Sequence, residues 1–176
     1  MSEGPNKTRT SRRDVIKLAG AAALGAAGAA ALGTTRVRAA GSGFALDFFF
    51  SPVRLYDTRG SAKLGHGAEV TLGPFPVPGG GGFTSANYYG MVGNVTAVAW
   101  TGAGWLAVRP NGSAFGGVSN VNFAGSLPAW SNLFIVQFGP TTLLPPILSD
   151  GKFIVRSGAA PTNFIIDLFG FLGPDQ

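Results

Sequence analysis

The chain of 176 residues has no cysteine and a single histidine. Without cysteine there is no disulfide framework, so apolar burial alone must hold any domain it forms. His66 sits in Leu-Gly-His-Gly, a loop context. One histidine with no cysteine cannot start a zinc or iron–sulfur site, which needs several converging ligands. No Asp and Asn spacing resembles a calcium-binding helix–loop–helix either, which leaves only an irregular oxygen-lined calcium site open; no metal-binding residue is assigned and no cofactor is expected. Charge is scarce as well, at 12% of residues. Soluble surfaces carry roughly 25–35%, which predicts that part of this surface packs against another molecule, itself included.

The few charges are unevenly placed. Seven of the thirteen basic residues precede Ala40, against only Glu3 and Asp14. Residues 18–35 are uncharged and mostly Ala and Gly, and Val37-Arg38-Ala39 follows them. A basic segment, a weak apolar run and small residues read as an export signal cleaved after Ala39. Ser11-Arg12-Arg13-Asp14-Val15-Ile16-Lys17 resembles the twin-arginine signal S-R-R-x-F-L-K, which implies the machinery that exports folded proteins. The alternative is an uncleaved membrane anchor. Eighteen helical residues would span about 27 Å, a little short of a bilayer core of about 30 Å, and Ala and Gly insert weakly compared with Leu.

Removing residues 1–39 changes the electrostatics. Arg54, Arg59, Lys63, Arg109, Lys152 and Arg156 are then opposed by Asp47, Asp57, Glu69, Asp150, Asp167 and Asp175. Six cations against six anions leave no net charge, and with it goes the argument for a nucleic-acid partner.

The remainder is the size of one domain. Beyond residue 40 no long stretch has helical periodicity. Short β-branched and aromatic runs separated by Gly, Pro and Asn predict strands at 46–50, 53–58, 69–72, 91–101, 105–109, 118–123, 133–138, 152–157 and 163–171. Within the fourth, Val95, Ala97 and Ala99 would share one face and Asn94, Thr96, Val98 and Trp100 the other. Turns are marked at 101–104, 110–112 and 150–151, and Gly-rich 74–82 reads as a long loop. About nine short strands without intervening helices predict an all-β domain over residues 51–173, preceded by a segment at 40–50. Its form is a single sandwich, jelly-roll or immunoglobulin-like, or a partly closed barrel.

The search for chemistry returns little. Gly102-Ala103-Gly104-Trp105-Leu106-Ala107 fits a dinucleotide fingerprint, but that motif needs a helix after its glycines, whereas this run leads into a strand and a turn. Asp57-Thr58-Arg59-Gly60 lacks the second carboxylate that aspartic proteases require. Glycoside hydrolysis needs two carboxyls. Asp57 and Asp167 are the candidates, set against a structural reading in which Arg54 and Arg59 pair with them. Asn94-Val95-Thr96 and Asn111-Gly112-Ser113 match the glycosylation pattern by accident in a chain with a bacterial-type signal. Flat aromatic faces suit sugar rings, and Trp105, Tyr88 and Tyr89 flank Gly-rich loops, which makes them the candidate binding residues.

Taken in order, several motifs resemble a family of bacterial secreted β-domains. The chain has Pro52-Val53-Arg54-Leu55-Tyr56-Asp57-Thr58-Arg59 where the family has P-x-R-L-x-D-T-R. Asn94-Val95-Thr96 and Gly104-Trp105-Leu106-Ala107-Val108-Arg109-Pro110 follow, then 119–123, Asn132-Leu133 and Gly151-Lys152. Ile166-Asp167-Leu168-Phe169-Gly170-Phe171-Leu172 resembles the V-D-V-x-G-Y-F ending. The resemblance spans residues 51–172 and implies an extracellular β-module with no recognised catalytic set. The expectation is a non-enzymatic exported domain that acts by binding or assembly. Its partner is envelope polysaccharide, another envelope protein or its own copy; the alternatives are a structural subunit and, second, an envelope hydrolase.

Overall fold

Branched and aromatic side chains lose little freedom on a pleated surface and cover one another across strands. That preference organises residues 34–38, 44–77, 82–140 and 148–174, which the computed structural model describes. The chain divides into residues 1–31 and 32–176, and every described residue belongs to the second unit. Arg12, Arg13 and Ala39 of the predicted export signal lie outside the described residues.

Among the described residues, nine strands make two antiparallel sheets that pack face to face as a β-sandwich, with no closed barrel. The first sheet contains β1 (Thr34–Arg38), β2 (Phe44–Asp57), β4 (Gly90–Val98), β7 (Ala129–Gln137) and β9 (Asn163–Pro174), in the order β1-β2-β9-β4-β7. The second contains β3 (Glu69–Leu72), β5 (Gly104–Pro110), β6 (Val121–Phe123) and β8 (Phe153–Gly158), in the order β3-β8-β5-β6. One 3₁₀ turn, Ser85–Asn87, interrupts the loop that joins β3 to β4.

β6 is shorter than the expected 118–123 and β7 begins at Ala129 rather than at 133; three further elements differ from the sequence reading for a local reason. The two strands expected at 46–50 and 53–58 are one strand, β2, whose register against β9 shifts between Phe48 and Val53. Pro52 falls in that gap; it has no N–H to give the ladder, so the strand bulges there. β4 stops at Val98 because Ala99 adopts φ +52°. The left-handed residue breaks the alternation: Ala99 is exposed, and Trp100 turns back to stack on Phe123 with centroids 5.1 Å apart. β1 occupies part of the predicted signal, pairing residue for residue from Thr34↔Phe49 to Arg38↔Ala45.

Between the sheets lies a core rich in phenylalanine. Phe138, Phe153, Phe164 and Phe171 are fully buried with Met91, Leu106, Ile166 and Leu168. Phe75 meets Phe138 and Phe153 edge-on at 6.1 and 6.3 Å. Such pairs add about 0.5–1.5 kcal/mol beyond their buried area, which matters in a domain with no disulfide.

Candidate functional site

Antiparallel pairing sets residues of distant strands side by side, and on the outer face of the first sheet it sets Arg54 opposite Asp167. Arg54 Nε donates to Asp167 Oδ1 at 2.5 Å, and its Nη1 donates to Asp57 Oδ2 at 3.1 Å. Arg59, at the turn after β2, donates from Nη2 to Asp57 Oδ2 at 2.5 Å and from its backbone N–H to Oδ1 at 3.1 Å. The four candidate residues Arg54, Asp57, Arg59 and Asp167 therefore form one neutral chain of ion pairs. The Arg59 side-chain hydrogen bond is the main cause holding the Asp57 carboxyl well below the usual carboxylate range. Arg54 and Arg59 are held above their ordinary value, each chiefly by its bond to an aspartate.

A second cluster, not anticipated from sequence, covers the outer face of the other sheet. Glu69 takes Arg109 Nη2 on Oε2 at 2.7 Å and Arg156 Nη1 on Oε1 at 2.9 Å. Arg109, first among the causes, lowers the Glu69 carboxyl. Arg156 lies 4.4 Å over the Phe115 ring, a cation–π contact. Phe115 in turn lies parallel to Trp105, 5.1 Å away. Beneath Trp105 is Gly158, where an added Cβ would lie 2.0 Å from the indole. His66 completes this side: its Nδ1 accepts the backbone N–H of Ala159 at 2.8 Å.

The three aromatic candidates are thus dispersed. Trp105 is sandwiched between Gly158 and Phe115. Tyr88 stacks on core Phe171 at 4.6 Å. Tyr89 lies elsewhere, lining a groove of about 560 Å³ with Ile135, Gln137 and Leu172. They form no common platform. A second, mostly apolar slot of about 340 Å³ opens beside Tyr56, Leu64, Val70 and Phe164, with Lys63 in its wall. Among the described residues there is no cluster of three or more His, Asp or Glu side chains that could hold a metal ion. No helix among them is long and apolar enough to cross a membrane.

The most distinctive surface belongs to neither charged cluster. No charged residue occurs between Arg109 and Asp150, and this stretch supplies β6 and β7, the neighbouring edges of the two sheets. Asn132 of β7 donates from Nδ2 to the Asn120 carbonyl beside β6 at 2.8 Å, joining the two edges. Along β7, Phe134 and Val136 are buried, while Leu133 and Ile135 point out, 54% and 65% exposed. Val118, Leu127 and Trp130, in the same charge-free stretch, are also exposed; Trp130 alternates onto the other face of β7 from Leu133 and Ile135. Each was visible in the sequence as an apolar residue, but the outward direction of Leu133 and Ile135 depends on the register of β7. The charge-free stretch itself was the signal that could have found this side. Compared with known proteins, the chain matches no family model, no curated protein and no solved structure.

Proposed function

We propose that the chain is an exported, non-catalytic β-sandwich that works by docking at the cell envelope. The observation that carries this reading is the charge-free stretch that supplies β6 and β7, with Leu133 and Ile135 exposed side by side on one face of β7. Large apolar side chains grouped on an exposed face mark interaction sites. Charged residues are depleted at interface cores while aromatic ones are enriched. The twin-arginine-like Ser11–Lys17 segment supports delivery in the folded state, which suits a sandwich able to collapse before export. Arginine contacts favour a structural role for Asp57 and Asp167, since a glycosidase acid needs a raised, not a lowered, value, and Asp57 is lowered.

A second reading is that the domain binds envelope polysaccharide. The groove of Tyr89, Ile135, Gln137 and Leu172 favours it, because it pairs an aromatic ring with an amide.

Gentle solubilisation of the envelope, capture of the processed protein and measurement of the native mass of what accompanies it test the proposal. A fixed protein assembly that is lost in Leu133→Lys supports docking through β7. Retention on cell-wall polysaccharide, abolished by Tyr89→Ala and indifferent to Leu133→Lys, supports the glycan reading. Replacing Arg12 and Arg13 together with lysine should leave unprocessed chain in the cytoplasm; normal export of that variant refutes the folded route.

A further inference from the structure

We infer that the free edge of β7 is the seam of a two-fold dimer, to which a second copy of this chain adds its own β7 in antiparallel pairing. This rests on the docking reading and names its partner. β7 ends its sheet, with β4 on one side and no strand on the other among the described residues. Its nine residues at about 3.3 Å each offer an edge of about 30 Å. Native edges of this length are normally blunted by lysine, proline, inward charge or a bulge. β7 uses none of these: Ala-Trp-Ser-Asn-Leu-Phe-Ile-Val-Gln has neither charge nor proline. Its register with β4 runs unbroken from Gly90↔Gln137 to Val98↔Ala129.

Charge selects the occupant. A strand presenting lysine or glutamate to this side would lose solvation there and find no counter-charge between Arg109 and Asp150. The edge accepts an uncharged, partly apolar strand, and β7 is itself such a strand. The chain's other edges match it less well. β3 carries Glu69, β6 is three residues long, and β1 carries Arg36 and Arg38; where processing removes β1, the edge passes to β2, which carries Asp47, Arg54 and Asp57. The balance of six cations and six anions beyond residue 40 removes net repulsion between copies. Leu133 is the middle residue of Ala129–Gln137. A two-fold axis there sets Leu133 against its own copy and Ser131 against Ile135 of the second copy, and the exposed leucines become a cross-strand pair. Because the interface is isologous, it closes at two copies.

The chain has no cysteine, so one introduced thiol can form only an intermolecular disulfide. The processed Leu133→Cys protein, mildly oxidised, should become a covalent dimer. Thr71→Cys, on the β3 edge, should stay monomeric under the same conditions. Sedimentation of the unmodified processed protein should show a dimer. Leu133→Lys, which sets like charges face to face, should weaken it about tenfold or more, with its melting curve in the monomer unchanged because the site is exposed. A sedimenting monomer, or equal cross-linking at both positions, overturns the inference. If the protein sediments as a monomer yet a different envelope protein is captured and lost in Leu133→Lys, the second copy is refuted and docking stands. If the protein is a monomer and Leu133→Lys releases nothing from the envelope, both readings fall.

Discussion

Trp105 lies flat on the backbone at Gly158, where only a hydrogen leaves room for the indole: an added Cβ would approach it to 2.0 Å. Gly158→Ala should therefore displace the ring, unstack Phe115 and loosen the Arg156 contact, at a cost of about 1–3 kcal/mol. Urea denaturation of the two proteins measures it, and equal stability would mean that the Trp105 stack carries no weight. Asp57 sets a pH dependence. Its folded value is depressed by Arg59, so its stabilising contribution is complete above the ordinary value of about 3.9. It is lost as pH falls below that value toward the folded one. Asp57→Asn should be less stable than the unmodified protein at neutral pH, and the gap should close in melts below about pH 4. A gap constant with pH would refute the ion-pair account. Residue-level legibility followed sequence distance. Asp57 and Arg59 are two apart, and the pairing of Arg54 with Asp167 could be guessed from two charges set among apolar neighbours. Glu69, Arg109 and Arg156 come from three strands that sequence cannot align, so that cluster was illegible.

Strands were read from period-two patterning and turn residues, and errors arose where backbone chemistry overrides the pattern. Pro52 looked like a terminator but produced a register shift within β2. Ala99 looked like a core residue, yet its left-handed backbone ends β4 and exchanges its role with Trp100. Thr34–Arg38 was hidden by its position in a predicted signal, although Thr34, Thr35 and Val37 are β-branched. Its pairing with β2 has a consequence for processing. Cleavage after Ala39 would separate β1 from residues 45–49 of β2, while β9 still covers the opposite edge. In hydrogen exchange, amides of residues 45–49 that face β1 should exchange faster in a chain beginning at Ala40 than in the full chain. Amides facing β9 should keep their protection. Identical exchange in the two proteins would mean that β1 does not protect this edge.

The molecule segregates its charge. Arg54, Asp57, Arg59 and Asp167 neutralise one another on the outer face of one sheet, and Glu69, Arg109 and Arg156 cluster on the other. Residues 110–149, which supply β6 and β7, carry none. The all-β class followed from composition, because many short branched and aromatic runs leave no apolar stripe for a helix. The placement of charge did not, since it depends on which strands become edges. This segregation predicts an unusual response to salt. Between ~0.1 M and ~1 M sodium chloride the screening length falls from about 10 Å to about 3 Å. An association built on ion pairs weakens steeply over that range, whereas one built on backbone pairing and apolar contact at β7 has no charges to screen. Apolar contacts do not weaken with salt and can strengthen. The dimer dissociation constant, measured by sedimentation across this range, should change by less than about twofold. A weakening of about tenfold would move the contact to one of the arginine–carboxylate faces. In that event Arg54→Gln or Arg156→Gln, not Leu133→Lys, would be the variant that separates the copies.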